Sequence, residues 1–408
     1  MKNYKHITFN IFFSAFLIIV MFFLFSTGII KNIVGGPFFD ISFTDLKSLY
    51  IPWLEYCRLE IEHESCKFMD YGKIFYLTPF NESLKLFYIN YLPFITIILF
   101  IFTTTFLINP KNKLEYLIVL LAILNPSTLV LIDRFNFDIF IFFILIIIAL
   151  NRFYFFNWLL FLYCFLIKLY PIVSGFFIFI ENKKRNSNFL LILILMFGIL
   201  AAYFLFIDYF AVNKMYISAG KAGYWHIFGL NTLPKIFKYF GINYILSLLV
   251  IYLVFFFTVY KLFRSNLINN LIESENLFTS SWRLFLLGGN ILFFSFLVYS
   301  NYSQREVFLI LLIPQLFLFK FENKKFLNLI ILFLIFRFLF LFIYGPSNIN
   351  SFYLIDGERH FNHIFIMATT IKGILDFILI SFIGSIVLKI NFSILKNFLL
   401  NLKLKDNK

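Results

Sequence analysis

The segment Asp133-Arg134-Phe135-Asn136-Phe137-Asp138 places three ionisable side chains and one amide between two apolar runs. An ionised side chain deep in a bilayer costs roughly 2.5 to 3.5 kcal/mol even on the mildest scale. A water-filled cavity, a fixed ion pair or a functional site offsets that cost. Its candidate substrate-binding residues are Asp133, Arg134, Asn136 and Asp138. The alternative is a structural ion pair between Arg134 and one of the two aspartates.

Two further polar turns carry cations that suit an anionic group. Lys168-Leu169-Tyr170-Pro171 lies between two short apolar runs, and Pro171 can begin the second of them as a first-turn proline. A lone lysine there either extends to the membrane surface or meets an anion. Arg305, which enters another apolar run, has the same two interpretations. We therefore add Lys168, Tyr170 and Arg305 to the candidate substrate-binding residues.

These residues must be positioned by membrane-spanning helices, as the composition indicates. The chain is 61% hydrophobic and 14% charged, and its apolar residues fall in runs close to the roughly 20 residues that cross a bilayer as a helix. We predict an all-α polytopic protein with one integral membrane domain, 1–408, and about twelve spans. The predicted spans lie near 7–30, 86–108, 114–131, 136–150, 153–168, 170–181, 188–210, 242–263, 284–300, 304–320, 325–344 and 365–389.

The distribution of charge predicts the topology. The net charge is +14, and more than half of the basic residues fall on one side if the N-terminus is cytoplasmic, as the positive-inside rule requires. This charge is topological, so no nucleic-acid partner is expected. The first span is too long for a secretory signal and is interpreted as a retained anchor. The segments 31–85, 211–241 and 345–364 then face the extracytoplasmic side, together with the Asp133–Asp138 segment and the Lys168–Pro171 turn.

The motifs resemble a known family. Asn125-Pro126-Ser127, the Asp133–Asp138 segment and Lys168-Leu169-Tyr170-Pro171 are similar to the pattern of glycosyltransferase family 87, in which an acid-Arg-Gly-Asn-Phe-Asp turn precedes a Lys-Leu-Tyr-Pro turn. Phe135 stands where the family has glycine. The segment from Asn301 to Arg305 resembles the family's later Tyr-Arg segment more weakly. The match covers residues 125 to 181, and elsewhere the agreement is in topology alone.

This resemblance implies a GT-C-type bundle in the plasma (inner) membrane with an extracytoplasmic active site. It implies a polyprenyl-phosphate sugar donor and transfer of a hexose to a lipid- or glycan-linked acceptor, with membrane lipids as neighbours and no cofactor. An inverting transfer needs a carboxylate to take the acceptor proton and cations to hold the phosphate that leaves. Arg134 is then expected on the phosphate, with Asp138 orienting it or a sugar hydroxyl.

The expected base lies in the first outer loop. Asp45 is favoured because Thr44-Asp45-Leu46-Lys47 followed by Tyr50 looks like the family's first-loop acid segment, and Asp40 is the second candidate. The alternative is that either aspartate caps a helix.

Several other polar residues have two interpretations each. Arg337, in the middle of a predicted span, either pairs with Asp376 or contacts a lipid phosphate. Lys372 and Asp376 have the i, i+4 spacing of an intrahelical salt bridge. Arg337 and His363 complete the candidate substrate-binding residues. His226, His360 and His363 face outward but lack further ligands, so no metal is expected.

The cysteines and the alternative functions complete the predictions. Cys57 and Cys66 either pair in an extracytoplasmic loop or remain free thiols. A lipid-linked-sugar flippase or transporter would prefer charges along a path near the midplane. A non-catalytic polysaccharide-assembly subunit would tolerate loss of the outer acids.

Overall fold

Long apolar runs form the helices that dominate the computed structural model. It describes residues 2–34, 43, 45–59, 75, 78–168, 170–171, 173–174, 227–273, 279–297, 301–319, 324–348, 352–355 and 358–406. Four predictions fall outside these residues: Asp40, His226, Cys66 and the span 188–210. Most of the span 170–181 and of the loop 211–241 also lies outside them.

The N-terminal half contains nine α-helices among the described residues. They are α1 (Lys2–Ser26), α2 (Ile29–Val34), α3 (Ile51–Glu55), α4 (Glu82–Asn90), α5 (Leu92–Ile108), α6 (Lys113–Leu124), α7 (Pro126–Arg134), α8 (Asp138–Leu150) and α9 (Tyr154–Ile167). A π-helical turn, Leu46–Tyr50, leads into α3, and a short 3₁₀ turn, Cys57–Leu59, follows it.

The C-terminal half contains seven more α-helices in its described part. They are α10 (Thr232–Tyr239), α11 (Tyr244–Arg264), α12 (Asn266–Glu273), α13 (Ser280–Leu297), α14 (Ile313–Leu318), α15 (Lys324–Ser347) and α16 (His363–Asp406). A 3₁₀ helix, Ser303–Leu312, precedes α14.

Two antiparallel ribbons were not predicted. Strands β1 (Ile227–Phe228) and β2 (Asn301–Tyr302) pair Ile227 with Tyr302. Strands β3 (Phe352–Ile355) and β4 (Glu358–Phe361) pair Phe352 with Phe361. Strand β1 precedes α10, β2 lies between α13 and the 3₁₀ helix, and the β3–β4 ribbon lies between α15 and α16. In the described residues the prediction of a helical protein is therefore confirmed with these two small exceptions.

Among the described residues, five helices are long and apolar enough to cross a membrane. They contain the segments His6–Ser26, Tyr244–Arg264, Ser280–Leu297, Leu327–Ser347 and His363–Ser393. Two bent pairs, α4 with α5 at 48° and α6 with α7 at 43°, raise the number to seven if each pair is one span. The described residues therefore support a membrane protein, and they do not by themselves reach the predicted number of about twelve spans.

Three predicted spans take a different form. Helices α8 and α9 have 13 and 14 residues, which at 1.5 Å per residue is only about 20 Å, less than the roughly 30 Å of hydrocarbon core. The predicted span 304–320 is a 3₁₀ helix followed by α14. Pro314 lies in the first turn of α14 and has no N–H to continue an α-helix through this point.

Local sequence explains where α7 begins and ends. Asn125 accepts a hydrogen bond from Thr128 N–H at 3.1 Å, and Pro126 occupies the first turn. The helix ends at Phe135, which has φ 56° and ψ 47° in the left-handed region. Its N–H donates to Ile132 O at 2.9 Å. This termination brings Arg134 and Asn136 to the end of the helix.

The 3₁₀ helix Ser303–Leu312 lies deep in the bundle. It packs against α7, α8 and α13. Gly288 of α13 permits the closest approach, since a Cβ there would lie 2.8 Å from both Phe308 O and Leu312 Cδ1. Residues 306–312 are all buried. The 3₁₀ helix therefore packs on several sides against the hydrophobic core.

Candidate functional site

Asp45 lies at the start of the π-helical turn and points to the α7–α8 connection. Its side chain is 3% exposed. Arg134 Nε donates to Asp45 Oδ1 at 3.0 Å, and Arg134 Nη2 lies 2.9 Å from the same oxygen. Asn136 Nδ2 donates to Asp45 Oδ2 at 3.1 Å. Asp45 makes no capping hydrogen bond to its helix, so the helix-cap interpretation of this residue is wrong.

Asn136 joins the first loop to the start of α8. Its side-chain oxygen accepts from Asp138 N–H at 3.1 Å while its amide nitrogen reaches Asp45. Both ends of one buried amide are therefore used. The chain can turn tightly here because Phe135 takes a left-handed conformation.

Phe135 retains the backbone conformation that glycine favours. It is one of three non-glycine residues with positive φ among the described residues. Its ring is 2% exposed and contacts the rings of Phe43 and Phe140, with centroids 6.3 and 5.5 Å away. The α7–α8 connection is thus a tight turn, and the phenyl ring adds packing that glycine lacks.

Lys168 and Tyr170 come to the same place from the end of α9. Lys168 Nζ forms an ion pair with Asp138 Oδ1 and donates to Asn136 Oδ1 at 3.0 Å. Tyr170 OH donates to Asp138 Oδ1 at 3.0 Å. Lys168 lies in the connection after α9, and burial lowers the pKa of its ammonium while the Asp138 carboxylate opposes that effect. Lys168 therefore meets an anion of its own chain, the Asp138 carboxylate, and its contact with a substrate phosphate stays a prediction.

Arg305 extends this set from the 3₁₀ helix. Its guanidinium carbon lies 4.4 Å from the centroid of the Tyr170 ring, within the range of a cation–π contact. Phe308, one 3₁₀ turn later, contacts the same ring at 5.9 Å between centroids. Direct contacts therefore run without a break from Asp45 to Arg305. We call the six residues Asp45, Arg134, Asn136, Asp138, Lys168 and Tyr170 the Asp45 cluster.

Aromatic residues brace the first loop against the cluster. Tyr50 OH accepts a hydrogen bond from Phe137 N–H at 2.9 Å. The Tyr50 ring also lies 5.7 Å from the rings of Trp53 and Phe75, measured between centroids. These contacts hold the π-helical turn, and with it Asp45, against the α7–α8 connection.

The predicted ion pair involving Arg134 exists, but its partner is different. The structural interpretation paired Arg134 with Asp133 or Asp138 of its own segment. The structure pairs it with Asp45, and it pairs Asp138 with Lys168. Asp133 is buried, and its backbone carbonyl accepts from Phe43 N–H. Asp133 therefore contacts the first loop through its backbone.

A second set of charges lies inside the bundle. Arg337 Nε and Nη2 donate to Asp376 Oδ1 at 3.0 and 2.7 Å, and Nη2 also donates to Glu306 Oε2. Lys372 Nζ lies 2.8 Å from Glu306 Oε1 and 2.6 Å from Asp376 Oδ2. We call Glu306, Arg337, Lys372 and Asp376 the Glu306 cluster. Its formal charges cancel, and no member is more than 5% exposed.

The Glu306 cluster decides two predictions. Arg337 pairs with Asp376, one of its two interpretations, and the intrahelical pair between Lys372 and Asp376 is present. Removing one partner of a buried pair typically costs about 3 to 5 kcal/mol because the other charge stays buried. This arrangement makes a role in stability the simplest account of Arg337, and no described contact joins Arg337 to the Asp45 cluster.

The remaining predicted residues lie apart from the cluster or outside the described residues. His363 is exposed at the start of α16, and Asp40 is not described. In the described ranges, no group of three or more His, Cys, Asp or Glu side chains is placed to hold a metal ion. Cys57 is disulfide-bonded, which excludes a free thiol there, and Cys164 is a buried free thiol.

Two residues of these networks were missed by sequence reasoning. Glu306 follows Arg305 directly and had no apparent partner in the sequence. Tyr50 was used only as part of a motif, and its bond to the Phe137 backbone has no sequence signal. In the sequence, Arg337 lies in the middle of one predicted span, and Lys372 and Asp376 lie one helical turn apart in another. These three residues were the one signal that a buried charge needs further compensation.

The arrangement brings two carboxylates, three cations, one amide and one phenol hydroxyl to one place. Asp45 and Asp138 are nearly buried, whereas the side chains of Arg134 and Lys168 are 24% and 16% exposed. The cations are thus the more accessible members of each pair. Compared with known proteins, the chain matches no family model, no curated protein and no solved structure.

Proposed function

We propose that this chain is an integral membrane glycosyltransferase of the GT-C type. It moves a hexose from a polyprenyl-phosphate sugar to a hydroxyl of a lipid- or glycan-linked acceptor on the extracytoplasmic face of the plasma membrane. The observation that carries the proposal is the convergence of Asp45 from the first loop with Arg134 at the end of α7 and Lys168 after α9. The motif resemblance supports the same function.

Asp45 serves as the general base in this proposal. A carboxylate offers about four acceptor positions on its two oxygens, and the contacts described above bring three donor atoms to Asp45. An acceptor hydroxyl can therefore add a further hydrogen bond without displacing Arg134. Arg134 and Asn136 orient the carboxylate, as a positioned base requires.

Arg134, Lys168 and Arg305 hold the donor phosphate. All three are more exposed than the buried acids, so an anion can approach them from the open side of the cluster. A phosphate is present in both the bound donor and the transition state, and the leaving phosphate gains charge as the glycosidic bond breaks. Fixed cations stabilise that charge.

Transfer by purified protein is the direct test. Protein in lipid nanodiscs is incubated with a panel of radiolabelled polyprenyl-phosphate sugars and a lipid extract as acceptor, and labelled product is separated by chromatography. The proposal predicts product with one donor and its loss on Asp45→Asn. Absence of product with every donor, or full activity of the Asp45→Asn variant, contradicts it.

The Glu306 cluster favours a second candidate function, a lipid-linked-sugar flippase. Charged side chains inside spans often mark a translocation path, and Arg337, Lys372 and Asp376 lie within α15 and α16. Against this candidate, the Glu306 cluster is electrically balanced and nearly closed to solvent. Charges that bind a moving substrate need access to it.

Proteoliposomes separate the two functions. A fluorescent lipid-linked sugar is placed in both leaflets, and a membrane-impermeant quencher reports how much reaches the outer leaflet over time. The transferase proposal predicts no protein-dependent movement. Rapid movement that survives Asp45→Asn and stops on Asp376→Asn would establish the flippase instead.

A further inference from the structure

The 3₁₀ helix Ser303–Leu312 touches both charged clusters. It runs for ten residues, although 3₁₀ segments longer than three or four residues are uncommon and often mark strained or functional places. Two adjacent residues of this helix, Arg305 and Glu306, point to different clusters. Arg305 lies over the Tyr170 ring, while Glu306 pairs with Arg337 and Lys372.

The geometry of a 3₁₀ helix explains this division. With three residues per turn, consecutive side chains project about 120° apart and residues i and i+3 are eclipsed. Arg305 and Phe308 therefore share one side of the helix, and both contact Tyr170. Glu306 lies on another side, against α15 and α16. A rotation of the helix that released Glu306 would move Arg305 and Phe308 away from Tyr170.

We propose that Glu306 is a positioning residue for the candidate site. Its ion pairs with Arg337 and Lys372 lock the rotation of the 3₁₀ helix and so hold Arg305 against Tyr170, whose hydroxyl in turn orients Asp138. The inference rests on the proposed function only where Arg305 is said to hold a donor phosphate. The mechanical link from Glu306 to Arg305 stands on the contacts alone.

The first test measures binding of farnesyl phosphate, a short polyprenyl phosphate, to purified protein by isothermal titration calorimetry. Glu306→Gln keeps the shape of the side chain and removes its charge, and is expected to weaken binding by roughly tenfold or more, as loss of one charge-assisted contact does. Glu306→Asp restores part of the affinity. Unchanged affinity of Glu306→Gln contradicts the proposal.

A double variant distinguishes positioning from general destabilisation. If Glu306 acts through Arg305, then Glu306→Gln combined with Arg305→Gln binds no more weakly than Arg305→Gln alone, whereas independent effects would multiply. Multiplying effects overturn the proposal. The matched control is Arg283→Gln, which removes another buried cation, one that donates to Ile148 O and Asn151 O at 3.0 and 3.1 Å. The control should bind farnesyl phosphate normally.

The second test does not depend on the proposed function. In an Arg305→Cys variant, the rate of maleimide labelling reports how tightly the 3₁₀ helix is held, after subtraction of the unsubstituted chain. Adding Glu306→Gln should raise this rate at least severalfold, adding Glu306→Asp should raise it less, and adding Arg283→Gln should not raise it. If Glu306→Gln does not fold, the smaller rise with Glu306→Asp carries the test. An unchanged rate overturns the positioning role. If the unsubstituted chain fails to bind farnesyl phosphate while this rate rises, the proposed function fails and the positioning role stands.

Discussion

Asp45 is buried, is oriented by Arg134 and precedes a π-helical turn. Only its basicity is needed for the proposed chemistry. The substitution Asp45→Asn keeps the size of the side chain and a hydrogen-bonding oxygen near Arg134. We expect the transfer rate to fall by about 10² to 10⁴, the range for a lost general base. The measurement is product formation by protein that remains monodisperse in detergent.

Asp40→Asn is the matched control for the Asp45 prediction. Both changes remove one negative charge, and the two residues lie five positions apart in the sequence. A near-normal rate for Asp45→Asn together with a collapse for Asp40→Asn would move the base to Asp40. If neither substitution changed the rate, the flippase and the non-catalytic assembly subunit would gain support.

Lys168 is expected to act on donor binding more than on turnover. A cation that meets a phosphate in both the bound donor and the transition state contributes uniform binding, and its loss raises KM with little change in kcat. We therefore expect Lys168→Ala to raise the donor KM about tenfold or more, since charged hydrogen bonds contribute about 1.5 to 3 kcal/mol. Steady-state kinetics over a range of donor concentrations measure this.

The ion pair with Asp138 complicates Lys168→Ala, because the substitution leaves a buried carboxylate without its cation. Lys168→Met with Asp138→Asn removes both charges and keeps similar volumes, so the pair can be tested without an uncompensated charge. The double variant should fold normally and still show the raised KM. A loss of kcat alone, in either variant, would contradict a role in donor binding.

At the scale of elements, the end of α7 depends on one residue in a costly conformation. Phe135→Ala removes the buried ring but keeps the left-handed strain, whereas Phe135→Gly removes both. Loss of a buried phenylalanine costs about 3 to 5 kcal/mol, and the left-handed conformation costs a non-glycine residue about 1 to 2 kcal/mol. Both variants should be less stable than the natural chain, with Phe135→Gly the more stable of the two.

Thermal unfolding followed by size-exclusion chromatography measures this order. Phe140→Ala is the control, because it removes a ring that contacts Phe135 at a helical position without positive φ. If Phe135→Gly were as unstable as Phe135→Ala, the left-handed conformation would not lower the stability of the fold. If it were more stable than the natural chain, packing of the phenyl ring would be unimportant.

The sequence predicted the helices well where hydrophobicity alone decides. Helices α1, α5, α11 and α15 lie where continuous apolar runs were found, since any long apolar segment in a bilayer must satisfy its own backbone. The prediction from the sequence failed where a proline or a pair of polar residues interrupts the apolar run. The predicted span 304–320 changes from 3₁₀ to α-helix near Pro314 for that reason.

The sequence indicated which residues lie together in the candidate cluster better than it indicated which of them form pairs. Arg134 was assigned to its own segment because nearby residues are the only partners a sequence makes visible, and the structure gives it Asp45 from a distant loop. The contact of Glu306 with Arg337 and Lys372 joins three separate elements. Such pairings depend on how helices pack, and no local pattern in a single sequence reports that.

At the scale of the whole molecule, the long helices α15 and α16 give the clearest indication of the membrane topology. Helix α15 begins at Lys324, beside Lys325, and α16 begins at His363 after the β3–β4 ribbon. Helix α16 has 44 residues, or about 66 Å at 1.5 Å per residue, more than twice the hydrocarbon thickness. Its apolar part ends at Ser393, and lysines follow it in the sequence.

This arrangement predicts that α15 crosses outward, that the ribbon lies outside and that α16 returns to a cytoplasmic C-terminus, because basic residues flank spans on the cytoplasmic side. With a cytoplasmic N-terminus, the number of crossings is then even. Alkaline phosphatase fused after Gly357 should be active, and the same enzyme fused after Lys408 should be inactive. Green fluorescent protein at the two positions should give the opposite pattern and is the control for expression. Active phosphatase at Lys408 would place the C-terminus on the extracytoplasmic side. Inactive phosphatase at Gly357 would place the ribbon on the cytoplasmic side, away from the face on which the proposed chemistry depends.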